Sequence, residues 1–331
     1  MAEYRHLGVP HPQWENFPHN LPPHTRICSL TRDRHPITPH PNLEIFEFTI
    51  PARDNYPIRI RAYQQSQLDS ESLPLLIYFH GGGFVTGGLE SDDKALRRVA
   101  AELPIVVLSV EYRLAPEYPF PVGVQDGEDV VRWAASKQAQ SGNHLIEYNL
   151  RADPSSGLIL GGTSAGANFI FGISHLITPE ANPRNIDLYH AITGILFLSG
   201  TIVHEDARPA QYLPKIRSID EITSSAGLTK EAIAYFAAKY SAPPTDPRRS
   251  PLLFPSHANL TRKAVVYVCG WDPRRDETML FEEILKNEGV VTKRFVYEGL
   301  PHGFWTICPD LECSREWEGD FVEGVRFLFE M

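Results

Sequence analysis

The run Leu158-Ile159-Leu160-Gly161-Gly162-Thr163-Ser164-Ala165-Gly166-Ala167-Asn168 constrains the fold more than any other stretch of the chain. An apolar segment ends in glycine, a serine sits within Gly-x-Ser-x-Gly, and a helix-compatible run from Ala165 to Ile177 follows. This order predicts a buried strand that turns sharply into a helix with Ser164 at the apex, the layout of a nucleophile elbow. A turn that tight leaves little room for Cβ atoms two residues to either side of the serine. Glycine lacks Cβ and tolerates strained dihedrals, which accounts for Gly162 and Gly166. The helix start beneath the apex leaves N–H groups unpaired, that of Ala165 foremost, where they can meet a developing oxyanion. Gly-x-Ser-x-Gly alone also fits an ordinary loop, so a catalytic serine needs partners elsewhere in the chain.

Around the elbow, strands alternate with helices. Asn42 to Ile50 alternates apolar and polar residues as a half-buried strand does, and Tyr56 to Tyr63 is its partner across an Asp54-Asn55 turn. Leu73 to Phe79 and Ile105 to Val110 are nearly all apolar, as strands covered on both faces are. Ala191 to Leu198, Lys263 to Val268 and Val290 to Tyr297 continue the series. Helices are expected at Ser91 to Leu103 (with Ser91 as N-cap), Val122 to Gln140, Leu228 to Tyr240, Asp276 to Glu288 and Glu316 to Phe329. Such alternation predicts an α/β fold, a mostly parallel twisted sheet flanked by helices. Two stretches break the pattern. Residues 1–42 are crowded with proline, and residues 201–256 carry one helix between proline-rich connections. The first is expected to dock through Trp14, Phe17, Leu21, Ile27 and Leu30. The second is expected as an insertion, leaving residues 43–200 and 257–331 as the core.

A serine hydroxyl is a weak nucleophile at neutral pH. It needs a base within hydrogen-bond reach, and the base needs an orienting carboxylate. On a sheet of this kind the chain order is serine, acid, histidine, each following a strand. After Ser164, one strand runs out at Cys269-Gly270-Trp271-Asp272-Pro273 and the next at Tyr297-Glu298-Gly299-Leu300-Pro301-His302-Gly303. Asp272 and His302 therefore stand where the partners belong, while most of the thirteen histidines have no such placement. Asp276 is the competing acid. Asp272 comes first after the strand and precedes a proline that fixes the turn, so Asp276 is assigned to capping the following helix. The strand ending at Phe79 runs into His80-Gly81-Gly82-Gly83-Phe84. Its three glycines can expose backbone N–H groups with no side chain in the way, as an oxyanion hole requires. A phosphate-binding loop is the alternative, but no Gly-Lys-Ser/Thr follows. His80 is expected to brace this loop by hydrogen bonding and not to act as a base.

The chain of 331 residues carries a net charge of −10 and no basic run, which argues against nucleic-acid binding. No apolar run approaches the about 18 residues that a membrane span needs. Met1-Ala2-Glu3-Tyr4-Arg5-His6 lacks the layout of a signal peptide, so a cytoplasmic protein with no membrane span is expected. Cys28, Cys269, Cys308 and Cys313 are then expected as free thiols, and no second ligand pair accompanies Cys308 and Cys313 to make a metal site.

Taken together, these motifs resemble the hormone-sensitive-lipase-like branch of the α/β-hydrolases, plant carboxylesterases and bacterial esterases included. His80 to Phe84 is similar to the family's HGGG loop. Tyr112-Arg113-Leu114-Ala115-Pro116-Glu117 with Pro119-Phe120-Pro121 is similar to its YRLAPE stretch, Gly162 to Gly166 to its elbow, and Asp272-Pro273 and His302-Gly303-Phe304 to its acid and base motifs. The matches run in the family's order from about residue 43 to the C-terminus. The resemblance implies the α/β-hydrolase fold with a helical cap built from residues 1–42 and 201–256. It implies ester hydrolysis through an acyl-enzyme on Ser164, with His302 as general base and acid and Asp272 orienting it. The N–H groups of Gly82, Gly83 and Ala165 would hold the oxyanion. No cofactor or metal is implied. The partner would be a small-molecule ester or lactone, with a homodimer left open as an assembly. Thr163 departs from the family's frequent Asp, and Arg274 from its frequent Asp-Pro-Leu. The cap stretches align with nothing, which leaves the substrate open. Two other functions use the same residues. One is a natural-product tailoring hydrolase or cyclase acting on a polyketide-like or peptide-like acyl chain. The other is a non-catalytic ligand receptor, and since the gibberellin receptors that share the resemblance have lost the histidine, His302 argues against it.

Overall fold

Alternation of side chains sets the two faces of the central sheet. The computed structural model describes residues 2–15, 37–67, 72–135, 144–178 and 190–329. In β3 (Leu75–Phe79), Leu75, Ile77 and Phe79 join one buried apolar cluster, and Leu76 and Tyr78 join a second. The same split recurs in β6 (Gly194–Leu198) and β7 (Lys263–Trp271), where Ile195, Phe197 and Val266 face the first cluster and Leu196, Leu198 and Val265 the second. A strand buried on both sides has no polar face to alternate, which is why these segments read as continuous apolar runs.

The remaining strands are β1 (Leu43–Pro51), β2 (Pro57–Gln65), β4 (Val106–Glu111), β5 (Leu158–Thr163) and β8 (Val291–Pro301). The eight-stranded order is β1-β2-β4-β3-β5-β6-β7-β8. β1 pairs antiparallel with β2, and β2 with β4; every later pairing is parallel. Helices α2 (Val122–Ala135), α3 (Ala165–Ile177) and α5 (Arg275–Asn287) supply the first cluster through Val130, Phe169 and Phe281. Helices α1 (Asp93–Glu102) and α6 (Glu312–Phe329) supply the second through Leu96, Trp317 and Phe321. Each such side chain, removed from water, contributes about 1.5–3 kcal/mol. Parallel strands all present their carboxyl ends to one edge, and the loops leaving β3, β5, β7 and β8 meet there.

Several expected boundaries shift. β8 runs to Pro301 instead of ending at Tyr297, because a register shift between Cys269 and Trp271 lets Trp271 pair with Pro301. Residues 136–140 of the helix expected to reach Gln140 lie outside the described residues. Ser91 does not cap α1: Asp92 occupies that position without a capping bond, and Ser91 Oγ accepts from Gly88 N–H at 3.1 Å. Asp276 does not cap α5 either. It lies in that helix's first turn, and its Oδ2 accepts from the backbone N–H groups of Arg217 (2.8 Å) and Ser218 (2.7 Å) at the start of the short helix Ser218–Glu221. Its carboxylate therefore satisfies the orphan donors of a different element.

Residues 2–15 run along the carboxyl ends of β7 and β8, where His11 N–H donates to Gly299 O at 3.0 Å and Leu7 and Trp14 are buried. Phe17, Leu21, Ile27, Leu30 and Cys28 lie outside the described residues. Residues 201–203 are fastened to α5 by Glu277, whose Oε2 accepts from Thr201 Oγ1 (2.9 Å) and Ile202 N–H (2.8 Å). Helix α4 (Lys230–Tyr240) is capped by Thr229, whose hydroxyl accepts from Ala232 N–H. Its C-terminal carbonyl, Tyr240 O, accepts from Phe120 N–H at 2.9 Å, which ties the proline-rich loop after β4 to this helix.

Candidate active site

Ser164 sits between β5 and α3 with φ 55° and ψ −107°, a conformation that ordinary residues avoid. The strain is held by packing on all sides. Ser164 N–H donates to Leu198 O at the end of β6, and Asn168 N–H to Ser164 O. A Cβ on Gly166 would lie 1.9 Å from Phe79 O, and one on Gly162 2.4 Å from the Gly166 carbonyl carbon. Backbone fills the space on both sides of the serine, so the glycines are a steric requirement. Thr163, just before it, shares a 2.6 Å hydrogen bond with the Tyr78 hydroxyl. Tyr78 in turn bonds Asp92, which also accepts from Trp305 Nε1 at 3.2 Å. Burial pushes the Asp92 carboxyl up to about 6. This chain of polar groups links the loop after β8 to the elbow.

The glycine loop lies beside the serine: a Cβ on Gly81 would be 3.5 Å from Ser164 Cβ. His80 is buried, its Nδ1 donates to Gly81 O at 2.7 Å, and its ring stacks on Tyr112 at 4.3 Å. Desolvation pulls its pKa down to about 4, so the ring is neutral at pH 7. It braces the loop, as expected of it. Gly83 has φ 60°, and a Cβ there would strike the Phe236 ring of α4 at 2.3 Å. Among the described residues, the N–H groups of Gly82, Gly83 and Ala165 donate to no protein acceptor. Arg113, within the proline-rich loop, is anchored by buried Asp126, which accepts from both its backbone N–H and its guanidinium.

Asp272 is fully buried after β7. Its Oδ1 accepts from Arg274 N–H at 2.8 Å, and its Oδ2 accepts from His302 Nδ1 at 2.8 Å. With Nδ1 committed to the carboxylate, His302 Nε2 is the nitrogen left to take a proton. The structure therefore brings Asp272 and His302 together, and separately brings the glycine loop to Ser164. Ser164 Oγ and His302 are not hydrogen-bonded in this structure; hydrogen bonds between a nucleophile and its base are often long and tighten only around a substrate. A Cβ on Gly227 would meet His302 O at 2.5 Å, so the stretch before α4 covers the histidine. Behind the pair, Cys269 Sγ accepts from Ser199 Oγ, and burial pushes its thiol far up, which leaves it protonated and inert. Cys308 and Cys313 are likewise free and buried.

Several contributors had no signal in the sequence. Asp92, Tyr78 and Trp305 are scattered over more than 200 positions, and their bonds form only once α1, β3 and the loop after β8 are neighbours. Glu277 resembled an ordinary helix acid, yet it is 1% exposed and binds Arg274 as well as the 201–203 backbone. Among the described residues, no cluster of three His, Cys, Asp or Glu side chains is arranged to hold a metal, and no helix is long and apolar enough to cross a membrane.

Comparison with known proteins agrees with this architecture. Residues 76–306 match the alpha/beta hydrolase fold family. An AB hydrolase superfamily protein of Schizosaccharomyces pombe is 31% identical over 293 residues, covering 88% of this chain and 82% of its own. The versiconal hemiacetal acetate esterase of Dothistroma septosporum is 29% identical over 269 residues, 80% of this chain and 77% of its own. Among solved structures, vibralactone cyclase superposes with a TM-score of 0.82 at 29% identity, over 98% of this chain and 96% of its own.

Proposed function

Because the chain belongs to the α/β-hydrolases, in their hormone-sensitive-lipase-like carboxylesterase branch, and is a carboxylic ester hydrolase, we propose that it cleaves small to medium esters through an acyl-enzyme on Ser164. The observation that carries this is the 2.8 Å Asp272–His302 pair, standing on the sheet edge where Ser164 leaves β5. His302 Nε2 takes the hydroxyl proton as Ser164 Oγ attacks the ester carbon. The Asp272 carboxylate stabilises the imidazolium that results and keeps the ring turned to the serine. Charge builds on the carbonyl oxygen, and the free N–H groups of Gly82, Gly83 and Ala165 receive it. One such donor is worth about 3–4 kcal/mol of barrier. The imidazolium then protonates the departing alkoxide, the alcohol leaves, and water activated by His302 releases the acid. Residues 1–42 and 201–256 act as the cap. Gly227 against the His302 carbonyl and Phe236 against Gly83 support this for residues 201–256.

Hydrolysis of p-nitrophenyl acetate and butyrate tests the proposal, with labelling of Ser164 by a fluorophosphonate. Ser164→Ala is expected to abolish both; turnover by this variant equal to wild type rejects it. A second outcome of the same acyl-enzyme is favoured by the end-to-end likeness to vibralactone cyclase. In this second outcome a hydroxyl within the acyl chain, in place of water, gives its proton to His302 and attacks the acyl carbonyl; the bond to Ser164 Oγ breaks, His302 returns a proton to Oγ, and the acyl chain leaves as a lactone. Product analysis with hydroxyacyl esters separates the two: lactone supports cyclisation, and free acid alone refutes it.

A further inference from the structure

Arg249 stands unpaired inside the protein. It is 5% exposed, its Nη1 meets no hydrogen-bond partner, and among the described residues no carboxylate pairs with it. Its neighbours in the chain and in space are differently served. Arg248 is held by Asp246, and Arg274 by Glu277 and Glu205. Among the described residues the Arg249 guanidinium lies over the Phe84 ring, whose centroid is 5.6 Å from Cζ, and Glu277 and Glu205 attract it without touching it. Burial, and then repulsion from Arg274, lower its pKa to about 10, which still leaves it charged at pH 7. A buried guanidinium with no carboxylate in contact and an unsatisfied Nη1 is unfavourable, so an anion that touches it is expected to be welcome there.

The surroundings have room for that anion. Arg249 lines a cleft of about 570 Å³ together with His204, Ile233, Ala237 and Ala242. His204 Nδ1 accepts from Asp206 N–H, so its neutral ring carries the proton on Nε2 and adds a donor to the lining. Two carboxylates border the same cleft. Asp206 is largely exposed at 79%, and Glu205 lies 3.7 Å from Arg274. Arg249 itself links this cleft to the elbow: Asn168, one helical turn beyond Ser164, donates from Nδ2 to Arg249 O at 3.1 Å, and Phe84, under the guanidinium, directly follows Gly82 and Gly83.

We infer that Arg249 binds a carboxylate carried by the ester substrate, so that this enzyme prefers acidic esters such as half-esters of dicarboxylic acids. The inference rests on the esterase reading above and adds the substrate class. A guanidinium offers a planar fork that matches a carboxylate, and the apolar walls at Ile233 and Ala237 accept the methylenes between acid and ester. A neutral ester in the same place leaves the cation dehydrated and unpaired.

The test compares mono-p-nitrophenyl glutarate with p-nitrophenyl valerate, which has the same acyl length without the acid. The ratio of their kcat/KM values is taken within each protein, so any general loss of activity cancels. Arg249→Met is expected to lower that ratio at least about tenfold from wild type, the worth of a charge-assisted contact. Arg249→Lys keeps the charge but loses the fork, and is expected to lower it at least about threefold; it carries the test if the methionine variant does not fold. An unchanged ratio overturns the inference. A second arm needs no turnover: monoethyl glutarate is titrated calorimetrically onto Ser164→Ala with and without Arg249→Met. A Kd at least about tenfold weaker without the arginine supports the assignment; equal affinities, or no binding to either, overturn it. Valerate turnover without acid preference refutes the carboxylate site and leaves the esterase reading standing. Arginine-dependent binding with no ester turnover does the reverse.

Discussion

Replacing Asp272 by asparagine gives the sharpest test of how the candidate site works. The two oxygens of Asp272 have different tasks. Oδ1 accepts from Arg274 N–H and Oδ2 accepts from His302 Nδ1, each at 2.8 Å, in a place with no solvent exposure. Asparagine has one acceptor and one donor end. Arg274 N–H can only donate, so it claims the amide oxygen, and the NH2 group must turn toward His302. The imidazole then has to accept at Nδ1, which moves its proton to Nε2, the nitrogen that must be empty to receive the serine proton. Two losses combine. The charge-assisted bond to the imidazolium is worth about 1.5–3 kcal/mol, or about 10- to 100-fold in rate. The wrong tautomer adds to this, and a comparable substitution in a serine protease costs about 10⁴ in kcat. A fall in kcat/KM of about 10²–10⁴ is therefore expected with p-nitrophenyl butyrate, with the thermal midpoint close to wild type because both buried bonds keep a partner. Rates would be normalised to correctly folded protein by circular dichroism. A loss of less than tenfold would refute the assignment of Asp272 as the orienting acid.

Three further outcomes follow from burial and close contact. Gly166→Ala sets a Cβ 1.9 Å from the Phe79 carbonyl oxygen, with backbone on both sides; a loss of at least about 3 kcal/mol in urea unfolding, or no soluble protein, is expected, and wild-type stability would show that the elbow can relax. Glu277→Gln breaks a buried pair with Arg274 and weakens the grip on residues 201–203. A cost of about 3–5 kcal/mol is expected in the same assay, and a change under 1 kcal/mol would contradict it. Asp92 titrates near 6 in the folded chain, above its ordinary 3.8, because burial disfavours its charge. The native state therefore holds a proton that the unfolded chain gives up, and this contribution is complete below about pH 4 and lost as pH rises through about 6. Relative to Asp92→Asn, wild-type stability should decline by about 2.4 kcal/mol from pH 4 to 7, whereas a pH-independent difference would rule out the raised pKa.

The sequence by itself determined the fold class, the elbow and the chain order of the candidate serine, acid and histidine. Those features are written over a few residues each. A doubly buried strand has to be an apolar run, a turn into a helix at the serine needs glycine where Phe79 O presses on it, and parallel strands deliver Ser164, Asp272 and His302 to one edge in chain order. Only the tertiary structure decided what the polar residues between them do. Asp276 satisfies Arg217 and Ser218, Asp92 ties Trp305 to Tyr78, and Arg249 lies beside Phe84 with no carboxylate in contact among the described residues. A carboxylate or guanidinium has the same local pattern whether it meets water, a helix end or another charge, and its partner is chosen by which distant segments pack together.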